Sequence, residues 1–124
     1  MHQYDPDNAP DPEAWLATPE EEQMALVLTY HEQCDPLPSD EANLAHATIH
    51  TIIENQLAME IDAVVETLAR LTRQGLRRHD ALHAIGSVLG EEIWRLQTGR
   101  TDAHQPGVYR RKLQKLTAKR WRKR

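Results

Sequence analysis

Apolar residues return every third or fourth position along this chain, and no stretch alternates convincingly with a period of two. The pattern therefore predicts helices and no sheet. Asp11 and Pro12 supply a cap and a first-turn proline for a short helical turn anchored by Trp15 and Leu16. Thr18-Pro19-Glu20-Glu21 fits a capping box opening a helix over 19–33, with Met24, Leu26, Val27 and Tyr30 as its inner face. The prolines of CDPLPSD end that helix, and Ser39 caps the next, which continues to about Met59. Residues 61–74 carry Val64, Val65, Leu68 and Leu71 at helical spacing, as a continuation of that helix or joined to it by a kink near Glu60. Gly75 stops the segment. A further helix spans 77–97 and halts at Gly99, and 102–107 reads as a loop. A last amphipathic helix, 108–124, includes Leu113, Leu116 and Trp121. Residues 1–11 read as a flexible lead-in. The expected fold is a single all-α domain over 12–124, a compact bundle of four to five helices.

Composition supports this reading and limits the core. The chain has 124 residues, the size of one domain, and only six aromatic side chains, so Leu, Ile, Val and Ala must fill its interior. Cys34 is the one cysteine and cannot form an internal disulfide. With no signal-type apolar region and no apolar run long enough to span a bilayer, the expected location is cytoplasmic. Charge is unevenly spread. All 15 Lys and Arg lie from Arg70 onward, where only Asp80, Glu91, Glu92 and Asp102 oppose them, while the other acids precede Arg70. Either the two halves screen each other, within one chain or across a homodimer, or the basic half faces an anionic partner.

Candidate chemistry lies in two His-x-x-x-His pairs. Residues four apart on a helix stand one turn above another, so His46, His50 and Glu54 share a stripe. Set against the Ala45, Ile49, Ile52, Ile53 face, that stripe lies on a flank, with His46 nearest the core and Glu54 nearest water. His79 and His83 stand likewise beside Leu82, Ile85, Leu89, Ile93 and Leu96, and Gly86 and Gly90 continue their stripe. Both segments follow the pattern H-x3-H-x-I. Four imidazoles and a carboxylate could converge if these helices pack side by side. Such a donor set suits a divalent transition metal such as zinc or iron, with Glu54 as a further ligand or as a catalytic base on metal-bound water. His31 and Cys34 are possible additional ligands. In the plainer alternative, the histidines knit helices or subunits together in a non-catalytic interaction or regulatory module.

The runs HATIHTIIENQLA, GLRRHDALHAIGSVLGEE, EEQMALVLTYHE and LTAKRWR resemble an uncharacterised bacterial family of small His-rich α-helical proteins, over about residues 11–122. That resemblance implies a cytoplasmic helical protein and carries no activity. The order His31, then His50 with Glu54, then His79 with His83 is also similar to hemerythrin-like di-iron bundles. The likeness departs at the last helix, which offers Arg and Lys where that family places a His and an Asp.

From Tyr109 to Arg124 the chain holds nine Lys or Arg and no acid. With Leu113, Leu116 and Trp121 docked inward, Arg110, Arg111, Lys115 and Lys119 would face an anionic partner. A nucleic-acid backbone bound through this basic C-terminal helix is the third functional class the sequence allows.

Overall fold

Proline, glycine and capping side chains cut the chain into seven α-helices among residues 3–99 and 107–123, which are those the computed structural model describes. No strand occurs among them. The all-α expectation holds. The contacts divide the chain into two compact units, Met1–Glu60 and Ile61–Arg124.

The first unit contains α1 (Pro12–Ala17), α2 (Glu20–Cys34) and α3 (Asp40–Ala58), with α1 and α2 both packed on α3. Asp11 caps α1 as expected, its side chain accepting from the Ala14 amide, and Ser39 caps α3 by accepting from the Ala42 amide. The capping box at Thr18 does not form. Pro19 is the N-cap of α2 and supplies no side-chain bond, while the Thr18 hydroxyl turns back to donate to the Ala14 carbonyl at 2.8 Å. Thr18 thus closes α1 instead of opening α2. Trp15 is fully buried in a core with Tyr4, Val27 and Ala47, against which Leu26, Leu28, Tyr30 and Ala58 pack. Of the segment expected as a flexible lead-in, Tyr4 is an inner anchor. Its ring lies 5.9 Å from Trp15 and meets Tyr30 edge-on at 6.2 Å.

The second unit contains α4 (Asp62–Arg73), α5 (Arg78–Gln97), α6 (Val108–Gln114) and α7 (Ala118–Arg122), with α4, α5 and α6 in mutual contact. Val64, Leu71, Leu82, Ile85 and Leu113 are sealed from solvent. The helix expected over 108–124 is two helices. Its first part ends at Lys115, and Thr117, in extended conformation, caps the second by accepting from the Arg120 amide. Arg70 holds this corner, donating to the carbonyls of Leu113 and Leu116 at 2.7 and 3.1 Å, and the Ala118 amide donates to Gln74 Oε1 at 2.8 Å. The predicted loop 102–107 lies outside the described residues except for Gly107, the N-cap of α6. Residue 124, at the end of the predicted basic helix, lies outside them as well. Among the described residues, no helix is long and apolar enough to cross a membrane.

Candidate metal-binding histidines

In the first unit the polar stripe of α3 lies deeper than its sequence pattern predicts. His50 and Glu54 are 1% and 2% exposed, His46 is half-buried, and Ala45, expected on the inner face, is exposed. The expected order, His46 innermost and Glu54 nearest water, is reversed. The cause is visible at Glu54, whose carboxylate accepts a short hydrogen bond from the Tyr4 hydroxyl. A buried carboxylate is tolerated when a donor answers it, and Tyr4, far away in sequence, is that donor.

A second shift concerns α2. Its buried residues are Gln23, Val27 and His31, one stripe at four-residue spacing, whereas Met24, Leu26 and Tyr30 are half-buried. His31 is therefore an interior histidine facing α3. Its ring lies 4.5 Å from that of His46 and 4.6 Å from that of His50, and His46 and His50 are 4.7 Å apart, centre to centre. Three imidazoles thus cluster within the first unit. His31 Nδ1 lies 2.8 Å from the Val27 carbonyl oxygen. A carbonyl only accepts, so Nδ1 carries the proton and Nε2 of the neutral ring carries the lone pair. A backbone carbonyl on one ring nitrogen is the usual device for presenting the other to a metal.

Gln23 and Asn55 stiffen the same helices. Trp15 Nε1 and Gln23 Nε2 both donate to Asn55 Oδ1, at 3.0 and 3.1 Å, and Asn55 Nδ2 returns a bond to Gln23 Oε1 at 3.2 Å. Toward the far end of α2, burial pushes the Tyr30 phenol above its ordinary pKa, and the negative charges of Cys34, Asp5, Asp7 and Asp35 add to the effect. Cys34 is exposed.

In the second unit His79 and His83 stand one turn apart on α5, their rings 4.3 Å apart and steeply inclined. His79 is buried and His83 half-buried, alongside the buried Leu82 and Ile85. A buried imidazole can offer one ring nitrogen to a metal, so His79 and His83, like His31 and His50 in the first unit, are candidate ligands.

No family model, curated protein or solved structure matches this chain.

The basic tail is partly engaged within its own unit. Lys112 donates to Glu92 in a short bond and lies 3.4 Å from Glu91, which also pairs with Arg95 at 3.3 Å. The hydrogen bond that Lys112 donates to Glu92 raises the Lys112 pKa above its ordinary value, against the opposing effect of burial. Arg110, Arg111, Lys115 and Lys119 are exposed. Of the groups above, His31 and Tyr4 carried the weakest sequence signals. His31 could have been found as the third member of the 23, 27, 31 stripe, but two polar members hide that stripe from any reading based on apolar spacing. Nothing in the local sequence marks Tyr4.

Proposed function

We propose that this chain is a metal-binding helical protein whose clustered imidazoles are ligands to a divalent transition metal, zinc or iron: His31, His46 and His50 in the first unit, and His79 with His83 in the second. His31 joins the histidines to which the sequence pattern pointed, and Glu54 is left outside the ligand shell, bound to Tyr4. The observation that carries the reading is the burial of imidazoles beside imidazoles. Each of the two units places histidine rings 4.3–4.7 Å apart in its helices, with His31, His50 and His79 nearly withdrawn from water. A leucine would pack such positions at no cost in buried polarity. Imidazole is the side chain that repays the cost by ligating a metal, and the ordered His31 tautomer supports the same use.

The bound ion would supply Lewis acidity and a fixed local charge. The three imidazoles of the first unit would leave one position of a tetrahedral zinc shell open. Iron, with a larger shell, would keep positions open to a small substrate.

Metal analysis of untagged protein tests the proposal. The expected result is about one equivalent of metal per chain, with a rise in the thermal midpoint when metal is returned to chelator-stripped protein. His31→Ala and His50→Ala should each sharply reduce that rise. Because imidazoles ligate only when neutral, occupancy should fall as the solution is made more acidic. Less than about 0.2 equivalents of any transition metal, with no thermal response to added metal, would overturn the reading and leave the histidines as interior packing.

A further inference from the structure

A groove of about 540 Å³ lies wholly within the first unit, between the segment before α1 and the outer face of α2. Tyr4, Leu26 and Tyr30 line it with apolar and aromatic surface, and Asp5 and Glu22 place carboxylates on its walls. A volume of this size matches ordinary small-molecule sites, which span roughly 300–1,000 Å³. Its charge is one-sided. From Met1 to Glu60 the chain contains 13 Asp and Glu residues and no Lys or Arg, so the local field favours a cation and opposes an anion. The half-buried Tyr30 ring adds aromatic surface of the kind that attracts ammonium groups, while the Tyr4 ring behind it is 4% exposed and packed against Trp15 and Tyr30.

We propose that this groove binds a small organic ammonium ion, its cationic head held by Asp5, Glu22 and the Tyr30 ring and its apolar part lying against Leu26. Three features combine here: a half-open groove, an aromatic wall, and carboxylates in a unit without Lys or Arg, Asp5 also accepting from the Asp7 amide and Asn8 Nδ2. No histidine lines the groove, although Tyr30 meets the His31 ring edge-on at 5.4 Å, and the carboxylates need no metal.

The test uses choline and benzyltrimethylammonium as probes, on full-length protein in the presence of EDTA, with 3,3-dimethylbutan-1-ol as the uncharged isostere of choline. Calorimetry should show that at least one of the two cations binds, and that choline or its larger analogue exceeds the alcohol by about tenfold or more. Binding should weaken as salt is raised. Glu22→Gln and Asp5→Asn, both at exposed positions, should each reduce affinity about three- to tenfold, and Tyr30→Leu by a similar factor. Cys34 lies at one end of the groove and reports occupancy directly, because a bound cation should slow its alkylation by iodoacetamide. Equal binding of alcohol and cation, or no binding of either cation at millimolar concentration, would overturn the proposal. So would affinities unchanged in both Glu22→Gln and Asp5→Asn. Since EDTA is present throughout, none of these outcomes depends on the metal reading.

Discussion

The two units bury opposite kinds of side chain. Ile61–Arg124 fills its interior with Val64, Leu71, Leu82, Ile85, Leu113 and several alanines, and among its described residues only Thr67, His79 and Glu92 are buried polar groups. Met1–Glu60 buries Gln23, His31, Asn43, His50, Thr51 and Glu54 beside a smaller apolar set. Each of those polar groups costs free energy unless answered, and the first unit spends much of its side-chain hydrogen bonding on answering them: Tyr4 to Glu54, Gln23 with Asn55, the Leu37 amide to Asn43 Oδ1 at 2.9 Å. Stability alone would favour an apolar interior of the same shape. The first unit has therefore been shaped by something other than stability, and the second largely by packing.

Paired substitutions at equal burial can break that comparison. Leu82 and His50 are each 1% exposed. Leu82→Ala should destabilise by about 2–5 kcal/mol, the usual cost of an uncollapsed cavity. His50→Leu, in metal-free protein, keeps volume while removing a buried polar ring, and should change stability by less than about 1.5 kcal/mol in either direction. Urea unfolding followed by circular dichroism measures both. If His50→Leu costs as much as Leu82→Ala, the imidazoles of the first unit are structural, and a non-catalytic module knit together by histidines becomes the better account.

This contrast also explains what could be read from the sequence. Where burial is apolar, spacing and punctuation were sufficient. The helix expected over 77–97 is observed as Arg78–Gln97, and Gly75 and Ser39 act as stop and cap. Where burial is polar, apolar periodicity marked the inner face only in part, since Val27 is sealed as expected and Leu26 and Tyr30 pack against the core. Met24 and Leu26 attract attention on α2, yet Gln23 and His31 occupy the interior, because their partners, Asn55 and the α3 histidines, lie in another helix. The histidine pairs were legible from their own spacing. The depth of Glu54 was not, since it depends on Tyr4, fifty residues away. The break at Thr117 was missed for a local reason. A threonine between two basic runs looks like one more helical position until its hydroxyl is seen capping the Arg120 amide.

The second unit's main charged contact sharpens the comparison from the other side. Glu92 is buried and answered by Lys112, so removing its charge should matter more than at a solvent-exposed pair. Glu92→Gln should cost about 1 kcal/mol near neutral pH. The pH dependence follows from the sign of the shift. The folded-state pKa of Lys112 is raised above the ordinary 10.5, so its contribution is complete below that value and disappears as pH rises through the folded pKa. Thermal midpoints of wild type and Glu92→Gln should therefore converge above about pH 10.5 and stay separated below it. A gap that does not narrow at all as pH is raised above 10.5 would mean that Glu92 stabilises the unit through something other than Lys112.

The smallest expected effect compares how the two units end a long helix. Helix α4 stops with Gly75 at φ +101°, its amide donating to the Thr72 carbonyl at 3.0 Å and the Leu76 amide to Leu71 at 3.1 Å, the pattern of a glycine-terminated helix. Helix α3 makes the same turn without glycine. Glu60 sits at φ +58°, with its amide donating to the Leu57 carbonyl at 3.0 Å. A side chain in this left-handed region is strained by roughly 1 kcal/mol, and glycine relieves the strain while giving back part of the gain as unfolded-chain entropy. Glu60→Gly should thus raise stability by about 0.5 kcal/mol. Gly75→Ala, which also presses a Cβ to 3.1 Å from the movable Arg122 guanidinium, should lower it by about 1 kcal/mol. Opposite signs at these two positions, read as thermal-midpoint shifts, would show that Glu60 holds its place against backbone preference. A loss of stability in Glu60→Gly would instead mean that the Glu60 side chain contributes more than its backbone strain costs.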